Sequence, residues 1–197
     1  MSAAGAALWL WLAYAVSWAA AGLWTARATT RAGRGEGLAY LAGFALGFGL
    51  LFPTPGAGGA LMAGGGGADG WRWGLVTVEA GGFAFAWWAR VHLGRLWSGM
   101  MTLRDGHRVI ESGPYGLVRH PIYTGLIASG WALAFILSAP RALAGAVVLT
   151  IVMAIKARNE ERLLRATLGP AAYDGYAARV PMLVPFMPRL AAGRRAP

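Results

Sequence analysis

Gly113-Pro114-Tyr115-Gly116-Leu117-Val118-Arg119-His120-Pro121-Ile122-Tyr123-Thr124-Gly125 is a polar elbow that opens directly into an uncharged apolar run. Pro121 suits the first turn of a helix. It biases His120 away from helical geometry, which leaves the imidazole free at the helix mouth. Unsatisfied backbone N–H groups and the positive end of the helix dipole would draw an anionic group there. The run 121–137 approaches spanning length, because a bilayer core of about 30 Å takes about 20 residues at 1.5 Å each. Ionisable groups at such a threshold are costly, so Arg119 and His120 read as functional.

Outward from the elbow the chain has the composition of a membrane protein. Of 197 residues 57% are hydrophobic and only 13% charged, against about a quarter charged in soluble domains. Residues 3–26 carry no charge, and 37–52, 71–88 and 142–155 complete a set of five apolar runs with 121–137. The last is too short alone and should continue as one helix through Lys156 toward Leu168. The Gly/Pro-rich stretch 53–70 reads as a loop; no strand precedes its glycine run and no Lys-Ser/Thr pair follows, so it is not a phosphate loop. Gly43 and Gly47 have the spacing that lets helix backbones approach. Interleaved apolar and basic residues in 90–118 suit an interfacial segment. Glu79, mid-run, is either a site or a structural carboxyl.

Charge bias orients the spans. With the N-terminus outside, 16 of the 18 Lys and Arg residues fall on inner segments, leaving only Arg72 and Arg141 outside. The positive-inside rule then puts the C-terminus in the cytoplasm. The expected fold is all-α, a polytopic membrane protein with about five transmembrane helices and a cytoplasmic helical C-terminal region. The expected location is the bacterial inner (cell) membrane. The first run is too long for a signal h-region and lacks a basic lead. The +10 charge belongs to membrane faces, since no nucleic-acid motif accompanies it. With Cys 0 thiolate chemistry is excluded, and no metal is expected.

That topology puts the elbow on the same face as Glu160 and Glu161, which follow a helix leaving the membrane. Adjacent helical residues point about 100° apart, so only one should face the elbow squarely. The other should pair with Arg158 or Arg165. An anion-seeking mouth opposite a cation-seeking carboxylate suits a zwitterionic or sulfonium-bearing cofactor.

Three stretches carry a resemblance: Leu93-Gly94-Arg95-Leu96-Trp97-Ser98, then His107 through Tyr115, then Arg119-His120-Pro121-Ile122-Tyr123-Thr124-Gly125. With the later series Glu160-Glu161-Arg162-Leu163-Leu164, Leu168-Gly169, Tyr173, Tyr176 and Arg179-Val180-Pro181, they resemble the isoprenylcysteine carboxyl methyltransferase family. Phospholipid methyltransferases share the Arg-His-Pro-x-Tyr and Glu-Glu elements. The resemblance implies an integral membrane methyltransferase that uses S-adenosylmethionine and acts on a lipophilic acceptor, a prenylcysteine-like carboxylate or a lipid headgroup. Residues 1–89 would be N-terminal transmembrane helices and 90–197 the methyltransferase core. It implies cofactor contacts at His107, Gly113, Tyr115, Val118, His120, Pro121, Tyr123, Gly125, Glu161, Tyr173, Tyr176, Arg179 and Pro181. Catalytic roles would fall to Arg119, Arg158, Glu160 and Glu161. Departures at Gly116-Leu117, between Gly169 and Tyr173, and at Met182 bear on the lid and the acceptor. A sterol-type reductase using NADPH shares the elbow but not the Glu-Glu series, and a non-catalytic membrane protein with a degenerate site is the remaining alternative. Oligomeric state is open.

Overall fold

The computed structural model describes residues 1–22, 34–53, 70–94 and 110–187. Within them the chain is all-helical: α1 (Ala3–Gly22), α2 (Arg34–Leu51), α3 (Gly70–Leu93), α4 (Pro121–Leu137), α5 (Pro140–Leu168) and α6 (Pro170–Arg179), with a 3-10 turn at Gly113–Gly116. Proline stands in the first turn of α4, α5 and α6, where its fixed φ is pre-organised and its missing N–H has no intrahelical partner. Between α4 and α5, Ser138 adopts a left-handed φ of 51° and returns its N–H to Ala134 and Phe135. The chain therefore reverses within three residues.

Two helices, Ala3–Gly22 and Pro140–Thr167, are long and apolar enough to cross a membrane, while Gly35–Leu51 and Pro121–Leu137 are apolar but shorter. The expected five spans are thus met by two on this criterion. In α3 the departure has a physical source, since Arg72, Glu79 and Arg90 interrupt its apolar character. The bundle's exterior remains apolar, with Leu12, Val16, Leu41, Val78, Ile151 and Ile155 exposed.

Glycine sets the two main helix seams. A Cβ on Gly125 would collide with the Gly82 carbonyl and lie 3.1 Å from Ala86, so α3 and α4 touch backbone to backbone. Ser129 Oγ donates to the Glu79 carbonyl at 2.9 Å across the same seam. Between α2 and α5, a Cβ on Gly43 would come within 2.7 Å of Val152 and one on Gly47 within 2.6 Å of Leu149. The Gly43/Gly47 spacing is therefore spent inside the chain.

Cationic side chains tie helix ends. Arg90, buried, donates to the Ala21 carbonyl at 3.0 Å, and Arg141 to the Phe52 carbonyl at 2.6 Å. Both use carbonyls left over at a helix C-terminus. Inside, Trp11 meets Phe48, Phe52 and Phe83 edge-on. Glu79 is fully buried beside this cluster. It lies level with Ser129, nine residues or roughly 13 Å along α4 from His120, so it takes no part in the elbow.

Candidate functional site

The elbow is held by backbone. Gly113 has φ +59°, and a Cβ there would come 2.8 Å from the His92 ring, so only glycine fits. His92 Nε2 sits 2.9 Å from Ser112 Oγ. Beyond the turn, Arg119 N–H donates to the Pro181 carbonyl at 2.9 Å and His120 N–H to the Met182 carbonyl at 3.1 Å. Thr124 Oγ1 donates to the Leu183 carbonyl at 2.6 Å. The segment after α6 thus lies across the elbow and occupies the N–H groups of the two residues that precede α4.

His120 is not free at the mouth. Its side chain is 9% exposed, with Nε2 3.1 Å from Glu161 Oε1 and Nδ1 3.6 Å from Glu160 Oε2. Its ring stacks parallel on Tyr123 at 5.5 Å. Both glutamates therefore face the elbow, contrary to the expectation of one. They straddle the imidazole, whose nitrogens lie on different edges of the ring.

The expected partners of the glutamates also differ. Glu160 accepts from Lys156 Nζ at 2.5 Å and from Tyr123 hydroxyl at 2.7 Å. Glu161 Oε1 lies 3.1 Å from Arg119 Nε. Arg165 turns instead to Asp174 on α6, at 2.6 Å. Its guanidinium, through that hydrogen bond, holds the exposed Asp174 carboxyl below the usual range. Arg158 is exposed and makes no carboxylate pair among the described residues.

A cavity of about 280 Å³ opens beside this network, lined by Arg119, Arg158, Glu161, Arg162, Arg165, Tyr173, Asp174 and Ala177. Four guanidiniums face two carboxylates there. Two buried polar atoms on its lining, Tyr173 hydroxyl and Arg119 Nε, make no well-aligned hydrogen bond, although Arg119 Nε keeps its ion pair with Glu161. Burial, and next the Glu161 carboxylate, push the Tyr173 phenol up, so it remains a neutral donor. Such a lining fits a ligand that carries both a carboxylate and a cation.

The other residues implied by the resemblance divide. Tyr115 and Tyr176 are buried, and Tyr176 hydroxyl donates to the Tyr115 carbonyl at 2.8 Å; burial raises both phenols. Arg179 reaches Glu111 at 2.5 Å, both exposed. Val118 and Pro121 are fully buried. Gly125 serves the α3–α4 seam, and His107 lies outside the described residues. Tyr176→Phe should lower unfolding stability by about 1–3 kcal/mol, because the buried Tyr115 carbonyl loses its donor. Urea titration in detergent measures it, and a value within about 0.5 kcal/mol, the scatter of neutral surface changes, would contradict this bond's role.

Neither Lys156 nor Tyr40 had a place in the site as read from the sequence. Lys156 had a signal: it is the single lysine in a chain whose other 17 basic residues are arginine.

Residues 76–166 match the Isoprenylcysteine carboxyl methyltransferase (ICMT) family. The matched span begins in α3 and ends in α5, taking in the elbow and both glutamates. No curated protein matches the chain.

Proposed function

Because residues 76–166 are isoprenylcysteine carboxyl methyltransferase-like, a likeness that points to a membrane methyltransferase, we propose that this chain is an S-adenosylmethionine-dependent enzyme acting on a lipophilic acceptor. The carrying observation is the mixed-charge cavity that joins Arg119 and Glu161 to α6. Arg158, Arg162 and Arg165 would take the cofactor's carboxylate, and Tyr173 with Glu161 its cationic and hydroxyl groups. When bound, the cofactor supplies an electrophilic sulfonium methyl, so the protein's part is to position and desolvate the pair. His120, clamped between Glu160 and Glu161, fixes the two carboxylates relative to each other. An acceptor that must lose a proton would give it to Glu160 or Glu161; a carboxylate acceptor needs no base.

The exposed apolar side chains of α1, α2, α3 and α5 support a bilayer setting, and charge bias supports five spans with the C-terminus cytoplasmic. The acceptor then arrives from the lipid side. Calorimetric titration of the detergent-purified chain with S-adenosylhomocysteine and with NADPH tests the reading. Binding of the first alone is the expected result. Binding of NADPH alone would replace it with a reductase, and binding of neither would leave a non-catalytic membrane protein.

A further inference from the structure

The geometry points to Tyr40 as a positioning residue that acts on the site through Lys156. The inference deepens the methyl-transfer reading and rests on it only for its activity readout.

Wherever else this chain places a fixed positive charge it uses arginine; at position 156 alone it uses lysine. A guanidinium is a planar fork, whereas an ammonium is a compact point charge that can sit between two ring faces and still reach a carboxylate. That is the setting found. Lys156 Nζ lies 5.5 Å from the centroid of the Tyr40 ring and 5.8 Å from that of Tyr123, within the roughly 6 Å reach of a cation–π contact. It also meets Glu160 Oε1 at 2.5 Å.

Tyr40 comes from α2, ahead of the family-like span 76–166. The Gly43/Gly47 seam brings α2 against α5 closely enough for its ring to reach Lys156. The ring is then anchored at its far end. Its hydroxyl donates to Glu36 at 3.1 Å and accepts from Asn159 Nδ2 at 2.8 Å, while Asn159 also donates to Glu36 at 2.8 Å. Asn159 follows Lys156 by three residues and so shares its face of α5. An anchored ring is a fixed wall for the ammonium.

From that wall the contacts run on without a break. Lys156 holds Glu160, Glu160 holds Tyr123 hydroxyl, and Tyr123 stacks on His120. Removing the Tyr40 ring frees the ammonium on one side, and the glutamate beneath it loses its fixed partner. Among the described residues Tyr40 hydrogen-bonds to Glu36 and Asn159 and to neither Glu160 nor Glu161, so its effect on the reaction passes through Lys156.

A single lysine makes this measurable without turnover. The full chain in lipid nanodiscs is treated with an amine-acetylating reagent, and modification at Lys156 is followed by peptide mass spectrometry. Tyr40→Leu should raise the Lys156 acetylation rate at least about fivefold and lower kcat about tenfold with KM for S-adenosylmethionine within about twofold, while Tyr40→Phe, which keeps the ring face and loses only its hydroxyl anchor, should change acetylation and kcat by less than about threefold. Helicity by circular dichroism checks folding, and Tyr40→Met, closer in length, replaces Tyr40→Leu if that variant does not fold. Unchanged acetylation in the ring-less variant, equal losses in both variants, or faster acetylation with unaltered kcat would each overturn the proposal. Absence of methyl transfer in the wild-type chain would overturn the enzymatic reading, and the acetylation rates would still decide whether Tyr40 holds Lys156.

Discussion

On the proposed methyl-transfer reading, Glu161→Gln is expected to lower turnover at least about 100-fold, the scale on which misplacing a reacting group by about 1 Å acts. Glutamine keeps the length and removes the charge that meets both Arg119 and His120 at 3.1 Å. Arg119, whose side chain is only 13% exposed, is then left beside the cavity without a carboxylate. A buried charge that loses its partner is the costly case among ion pairs. The guanidinium should seek solvent or a new acceptor and carry the elbow with it. His120→Ala should produce a similar loss, since it removes the group that both glutamates straddle. Turnover is measured by transfer of an isotopically labelled methyl group into membrane lipids, and S-adenosylhomocysteine affinity by calorimetry. Variants that keep turnover within threefold and full affinity would take Glu161 and His120 out of the site.

The largest effect on stability is expected at Gly125. Valine there should lower unfolding stability by about 3 kcal/mol or more, the upper range for overpacking. Its Cβ would run into the Gly82 carbonyl, a backbone atom that cannot rotate away. The helices would have to part, and the Ser129–Glu79 bond at 2.9 Å would go with them. Gly130→Ala is the control: a Cβ there meets only Leu51 Cδ2, at 3.9 Å. Denaturant or thermal unfolding in detergent should separate the two variants, and equal midpoints would show that the α3–α4 seam yields.

What could be read in the sequence followed from local chemistry. Pro121 and Ser138 bound α4 where proline and the end of the apolar run had placed it. The charged residues after Lys156 did continue as one helix to Leu168, because nothing between them breaks a helix. Gly43 and Gly47 were recognised as a close-approach pair, but spacing carries no address, and the partner is α5 of the same chain. The site was harder. The two stretches expected to converge do meet, at His120 and the two glutamates, yet the pairing of Glu160 with Lys156 was missed because attention fell on Arg158 and Arg165. Tyr40 could not be found at all. It meets Asn159 119 positions along the chain, and no local pattern marks such a contact. The reading of His120 as free failed because the carbonyls and carboxylates that engage it come from distant segments.

The stretch from Pro181 to Leu183 has a consequence in time. Thr124 waits for a carbonyl 59 positions further along the chain, and the N–H groups of Arg119 and His120 wait for neighbours of that carbonyl. Residues 181–183 are synthesised after α4 and α5, so the elbow is closed last. Formation of α4 and completion of the elbow are therefore separate events, and the nascent chain has its helices before it has a finished site.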